Sequence, residues 1–237
     1  MRMVAAQVME RLQLGPNGAL MYCIEFLEQN LGWLQSQIEA RPERYFLIDC
    51  PGQIELYTHH RSFHNMLEII QRDWKFQICA VNLVDSHYCA DASKFISVLL
   101  TSLTTMLHLA TPHINVLSKI DLVEAAGPLP LRLDVYTDVL DLSYVLAALE
   151  DDPFASRYHA LNAALVELVE DFSLVSFNTL NVADKHSLAS LIVHIDKAIA
   201  FVQGDDGKAQ DVDTFTAAFG AGPQHLRDVF LDAEKYL

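Results

Sequence analysis

Positive charge is scarce in this sequence. Sixteen Lys and Arg stand against 31 Asp and Glu in 237 residues, a formal net charge of −15. No basic patch is visible, so direct nucleic-acid binding and docking on an anionic membrane are disfavoured. Cysteine is scarce too. Cys23, Cys50, Cys79 and Cys89 are never in C-x-x-C spacing, and three of them lie in apolar stretches. That argues against a disulfide scaffold or a cysteine zinc site and fits a reduced, cytosolic or nuclear chain. No apolar run promises a transmembrane span, and Met1-Arg2-Met3-Val4 is no signal peptide. Internal repeats are absent. What is plentiful is apolar: 51% of residues are hydrophobic and only 20% charged, which supplies a full core and argues against wholesale disorder.

The order of elements reads as alternating strands and helices. A helix is expected over Val4 to Leu14. Gly15-Pro16-Asn17-Gly18 is a dense turn signal. A long amphipathic helix is expected from about Ala19, with Leu20, Cys23, Ile24, Leu27, Leu31, Leu34 and Ile38 recurring at spacings of three and four. Tyr45 to Ile48 is a short apolar run that suits a strand buried on both faces. A helix over Ser62 to Gln71, a strand over Phe76 to Asp85, and a helix capped by Asp91 and running to Leu109 follow. A third strand spans His113 to Leu117. Helices are expected over Asp134 to Leu149 and Ala155 to Phe172, a fourth strand over Leu174 to Asn178, and a helix over Lys185 to Val202. The predicted fold class is α/β, a parallel sheet with helices on both faces. Residues 1–203 would form the domain. Residues 204–237 would be a polar linker and a weakly helical tail.

The polar motifs fall where such strands end. In open α/β sheets ligands bind there. Asp49-Cys50-Pro51-Gly52 is a D-x-x-G run: Asp49 can hold a Mg²⁺ ion through water, and the Gly52 N–H can approach a terminal phosphate with no Cβ in the way. Ser118-Lys119-Ile120-Asp121 follows the third strand. The Asp121 carboxylate can accept from both N1–H and the exocyclic amine of guanine, with the Lys119 stem over the base plane. Adenine there would leave a desolvated, unpaired carboxylate. A plain structural reading of the same residues is a helix cap by Asp121 beside an exposed Lys119. Asn17 likewise reads as an N-cap of the helix after it. His59, His60 and His64 cluster around Arg61 without a Cys, Asp or Glu at useful spacing, so a solvated or interface face is preferred to zinc.

Together, Gly15-Pro16-Asn17, Asp49-Cys50-Pro51-Gly52-Gln53, Ser118-Lys119-Ile120-Asp121 and Ser176-Phe177 resemble, in that order, the GPN-loop GTPases. The likeness runs from about Val4 to Val202 and extends to Leu83-Val84-Asp85-Ser86-His87-Tyr88-Cys89. It implies GTP and Mg²⁺ as cofactors. Asp49 would stand near the metal, and Gly52 near the γ-phosphate. Ser118, Lys119 and Asp121 would serve the guanine, and the backbone at Ser176 and Phe177 would close over it. Gly15, Pro16 and Asn17 would reach the partner subunit's site in a dimer, and Gln53 is a candidate for positioning water. The resemblance also implies pairing as a homodimer or with other GPN-loop GTPases, RNA polymerase II subunits as partners in assembly and nuclear import, and a cytoplasmic location with shuttling to the nucleus.

One departure is large. The family opens with a strand, a G-x-x-x-x-G-K-[ST] phosphate loop and a helix, and no such run occurs in the sequence. The expectation is therefore a P-loop NTPase-like fold, amino-terminally truncated, without its first strand, whose would-be neighbours have unpaired backbone edges. Two rival readings remain: a non-catalytic dimerisation or interaction module, and an unrelated α/β phosphotransferase with a chance S-K-x-D that would prefer ATP.

Overall fold

A sheet of three parallel strands organises the chain between Ala80 and Leu180. The computed structural model describes residues 5–41, 45–126, 129–151 and 153–201. The expected tail, 204–237, lies outside them. The described residues fall into two compact units. One comprises the residues up to Ile78 with Thr104–Thr111, and the other comprises Cys79–Leu103 with those from Pro112 on.

In the first unit, α1 (Ala5–Leu12) precedes α2 (Pro16–Gln29) and α3 (Leu31–Glu39). The expected long helix is thus two. Asn30 leaves helical geometry at φ −120°, ψ 29°, and its side chain donates to the Phe26 carbonyl at 2.7 Å. Asn competes well for backbone partners and so breaks helices. A short α4 (Glu55–Thr58) leads to α5 (Arg61–Arg72). Ile24, Leu31, Leu56 and Met66 are buried together, with Leu20, Leu27, Phe63 and Trp74 packed around them. Polar bridges flank this core: Asn65 donates to Glu28 at 2.8 Å, and His60 pairs with Glu25 at 3.0 Å.

The expected strand at Tyr45 to Ile48 does not form. Residues 45–50 have no regular structure, and Leu47 and Ile48 are 83% and 64% exposed. An extended apolar segment becomes a strand only when a ladder of backbone hydrogen bonds forms along it, and residues 45–50 are not part of the sheet.

The second unit holds the sheet, β1 (Ala80–Asp85), β2 (His113–Ser118) and β3 (Phe177–Leu180), in the order β1-β2-β3. β2 is the central strand and four of its six residues are buried, which suits a parallel interior strand. Helix α6 (Ala92–Leu109) starts in this unit, where Asp91 accepts from the Lys94 N–H at 3.1 Å as its cap. It covers the face bearing Asn115, Leu117 and Phe177. Phe95 and Leu99 are fully buried, and the Phe95 ring lies 6.3 Å from Phe177. A polar layer crosses this face, with Asn82 donating to Asn115 at 3.0 Å and to Ser102 at 3.1 Å. Contrary to expectation, α6 is long and apolar enough to meet the length and composition of a membrane span. Its apolar residues Phe95, Leu99 and Leu103 are instead core residues.

Beyond β2 come α7 (Ile120–Ala126), α8 (Leu133–Asp138), α9 (Ser143–Glu150), α10 (His159–Phe172) and α11 (Lys185–Ala198). The helix expected over Asp134 to Leu149 is split at Val139, which is left-handed at φ 52°. Helix α11 lies on the opposite face of the sheet, where Leu191 is buried with Ile114, Val116 and Leu180. Helices thus cover both faces, as an α/β fold requires. Helix α10 buries Val166 and Val169, whereas Leu161, Leu168 and Phe172, and Tyr158 at its N-cap, are exposed.

Candidate functional site

Asp85 and Ser118 are paired in register at the carboxyl ends of β1 and β2. The residues that follow therefore leave the sheet side by side. Lys119 is left-handed at φ 59°. A non-glycine residue there is strained by about 1–2 kcal/mol. Its carbonyl is held twice, by the fully buried Ser86 hydroxyl at 3.0 Å and by the Leu122 N–H at 3.0 Å. The Ser118 hydroxyl donates to the Val84 carbonyl at 3.0 Å. Lys119 Nζ meets Asp85 Oδ2 at 2.7 Å, and Asp85 Oδ1 accepts from the His87 N–H at 3.0 Å. The bond to Lys119 first, and the His87 N–H next, hold the Asp85 carboxyl below its ordinary range. The bond to Asp85 raises the Lys119 ammonium above its own.

Asp121 stands in the first turn of α7, exposed, with neither oxygen bonded to another described residue. The cap of α7 is provided at Lys119, so the structural reading of Asp121 as a helix cap fails. Two unengaged carboxylate oxygens beside a braced lysine fit the donor pair of a guanine edge.

Ser176 and Phe177 are not brought to this edge. Phe177 is the first residue of β3, buried, and pairs with Asn115 rather than Ser118. Asn115 donates to the Ser176 carbonyl at 3.4 Å. The residue level with Ser118 is Leu180, because β3 starts and ends later than expected. The loop at the shared edge is therefore Asn181 to Asp184. Asn181 Oδ1 accepts from the Ala183 N–H at 2.9 Å, and Asp184 caps α11 through the His186 and Ser187 N–H groups at 3.0 and 3.3 Å. Asp85, Ser86 and Asn181 were not among the sequence candidates. The Asp85-Ser86-His87 run after an apolar strand was the available signal for the first two.

The remaining candidates lie in the first unit. Gly15 is the N-cap of α2, at φ −69° and ψ 170°, without a side-chain cap bond. Pro16 occupies the first helical turn, where its missing N–H costs nothing. Asn17 is therefore not the N-cap. It lies one residue into the helix, exposed and unbonded to other described residues. Asp49 is exposed with no hydrogen bond or ion pair to a described residue, and Gly52 has open space where a Cβ would be. The Tyr57 hydroxyl donates to the Pro51 carbonyl and stacks edge-on with Phe63 at 5.0 Å, which ties this segment to α4 and α5. Burial, then Cys50 and Asp49, push the Tyr57 phenol up, so it stays a donor. Gln53 starts α4 with its carbonyl, which accepts from Leu56 at 3.2 Å. His60 caps α5, His64 stands 3.3 Å from the Leu109 carbonyl, and His59 is 2.6 Å from Thr58. Among the described residues no His, Cys, Asp and Glu cluster could hold a metal unaided. Asp49 supplies one carboxylate, which suits Mg²⁺ only when phosphates and water complete its shell.

Relatives decide the family. A protein in Danio rerio named GPN-loop GTPase 2 is 49% identical over 233 residues, covering 96% of this chain and 75% of its own length. The chain belongs to the GPN-loop GTPases. Another GPN-loop GTPase 2, from Xenopus tropicalis, is 51% identical over 84% of this chain and 65% of its own length. The Saccharomyces cerevisiae protein of that name is 42% identical over 84% of this chain and 59% of its own. The chain thus spans roughly three fifths to three quarters of these GPN-loop relatives. A family model described as "Conserved hypothetical ATP binding protein" matches residues 2–201.

Proposed function

We propose that this chain is a guanine-nucleotide-binding subunit of a GTP hydrolase, with its base-reading half built on β1 and β2. The observation that carries the reading is the free Asp121 carboxylate beside Lys119, at the carboxyl edge of a parallel sheet. Asp121 accepts from the guanine N1–H and amine, Lys119 lies along the base plane, and the Asn181 loop borders the site. Ser118 holds the loop to β1. Asp49 supplies a carboxylate to Mg²⁺, and Gly52 offers its N–H to a phosphate. Gly15, Pro16, Asn17 and Gln53 serve the phosphate end, the first three across a dimer, as the resemblance implies. Bound Mg²⁺ supplies charge neutralisation at the phosphates. RNA polymerase II assembly, dimerisation with a GPN-loop relative and nuclear shuttling belong to the same proposal. The net charge of −15 suits partners with basic faces.

The test is titration of fluorescent GTP, ATP and XTP into the purified chain and into Asp121→Asn. The expected result is weak binding that prefers guanine, because no G-x-x-x-x-G-K-[ST] run cradles the phosphates. The preference should move toward xanthine when Asn replaces the carboxylate. Preference for ATP in both proteins refutes the reading. A second reading, a non-catalytic interaction module, is favoured by residues 45–50, which form no strand, so that Asp49 does not end one. Co-purification with a full-length relative, without any nucleotide binding, supports it.

A further inference from the structure

The base-reading lysine is held by a part of the fold outside its own motif. We propose that Asp85 is the positioning residue for Lys119, with Ser86 fixing the backbone beneath it. This rests on the guanine reading above. Asp85 and Ser118 are paired in register, so Lys119 leaves the sheet beside Ser86. Three side-chain bonds cross between the two strand ends: Lys119 Nζ to Asp85 Oδ2 at 2.7 Å, Ser86 Oγ to the Lys119 carbonyl at 3.0 Å, and Ser118 Oγ to the Val84 carbonyl at 3.0 Å. Ser86 is fully buried, so water cannot replace its bond. It stabilises a backbone conformation that lysine otherwise avoids.

The ion pair itself has another role. Its side chains are 57% and 38% exposed, and exposed pairs add little to folding. A lysine left free samples many rotamers and loses them when it lies along a base. Asp85 restricts those rotamers before any nucleotide arrives, which is pre-organisation rather than stability. Its second oxygen caps the turn at His87. Asp85→Asn keeps that acceptor and removes the charge, so it separates the two roles.

The experiment has two readouts. The first needs no nucleotide: acylation of the Lys119 amine by an activated acetate ester, followed by mass spectrometry. It should speed up several-fold in Asp85→Asn. The second is guanine-nucleotide affinity in the wild type, Asp85→Asn, Lys119→Met and the double variant. Asp85→Asn should weaken binding about five-fold, leave the guanine-to-adenine ratio unchanged, and have no further effect in the Lys119→Met background. Asp85→Glu should restore part of the loss. Equal acylation in wild type and Asp85→Asn overturns the proposal. So does an undiminished effect of Asp85→Asn in the Lys119→Met background, which would mark a structural role. A wild-type chain that binds no guanine nucleotide overturns the guanine reading and this role with it, even where faster acylation shows that the brace exists.

Discussion

Asn82 donates to Asn115 across two paired strands, at 3.0 Å, on the face of the sheet that α6 covers. The bond is continued to Ser102 on α6 and from Asn115 to the Ser176 carbonyl. Asn115 is 2% exposed, so each of its polar atoms needs a partner. Asn115→Ala should cost about 2–3 kcal/mol, since it strands Asn82 and opens space. The Asn82→Ala, Asn115→Ala double variant should cost less than the sum of the singles. Urea midpoints of the four proteins check both statements. Strict additivity would mean that the layer is not coupled.

Phe95 anchors the same face. It is fully buried and meets Tyr136 edge-on at 4.9 Å. Phe95→Ala should destabilise by about 3–5 kcal/mol, enough to unfold a marginal domain. Leu140, 81% exposed, is the control, and Leu140→Ala should stay within about 0.5 kcal/mol. Thermal melts followed by circular dichroism separate the two.

His113 opens β2 with neither ring nitrogen hydrogen-bonded. Burial lowers its pKa below 6.5, and the nearby Asn115 side chain opposes only part of this. The folded state therefore refuses a proton that the unfolded chain accepts. Its penalty is absent above the unfolded value, grows as pH falls below about 6.5, and levels off under the folded value. Stability of the wild type should drop from about pH 7 to about pH 5 more than that of His113→Phe. Matching slopes in denaturant titrations would remove His113 as the cause.

Asn181 rather than Ser176 stands at the edge shared with Lys119. Asn181→Ala loosens the turn that its side chain closes at Ala183. Guanine-nucleotide binding should weaken by about five-fold, the worth of one hydrogen bond. Ser176→Ala should leave it within about two-fold, because only the backbone of Ser176 is engaged. Equal losses in a nucleotide titration would return Ser176 to the site.

Local signals and pairing signals were not equally legible. The Asp91 cap, the helix running from it to Leu109 and the apolar run of β2 are written in spacing and polarity, and the structure has them in place. The Lys119 and Asp121 placement followed from an apolar run ending in a polar tetrapeptide. Tyr45 to Ile48 was misread because its apolar character is local, whereas a strand depends on a neighbour. Ser176 and Phe177 were misplaced by a strand offset of two or three residues, and in a parallel sheet that moves a motif from one edge toward the other. Asp85 was visible as a polar group, but its bond to Lys119 depends on strand order, which no single stretch encodes.

Val81 and Leu83 look out to solvent from the outer strand of the sheet, 38% and 61% exposed. Like-charged molecules keep one another at a distance near neutral pH, so this sticky rim goes untouched in dilute buffer. That protection fades toward the isoelectric point, about 4.9. Acidified or salted stocks should cloud first, and a lysine in place of Leu83 should keep them clear.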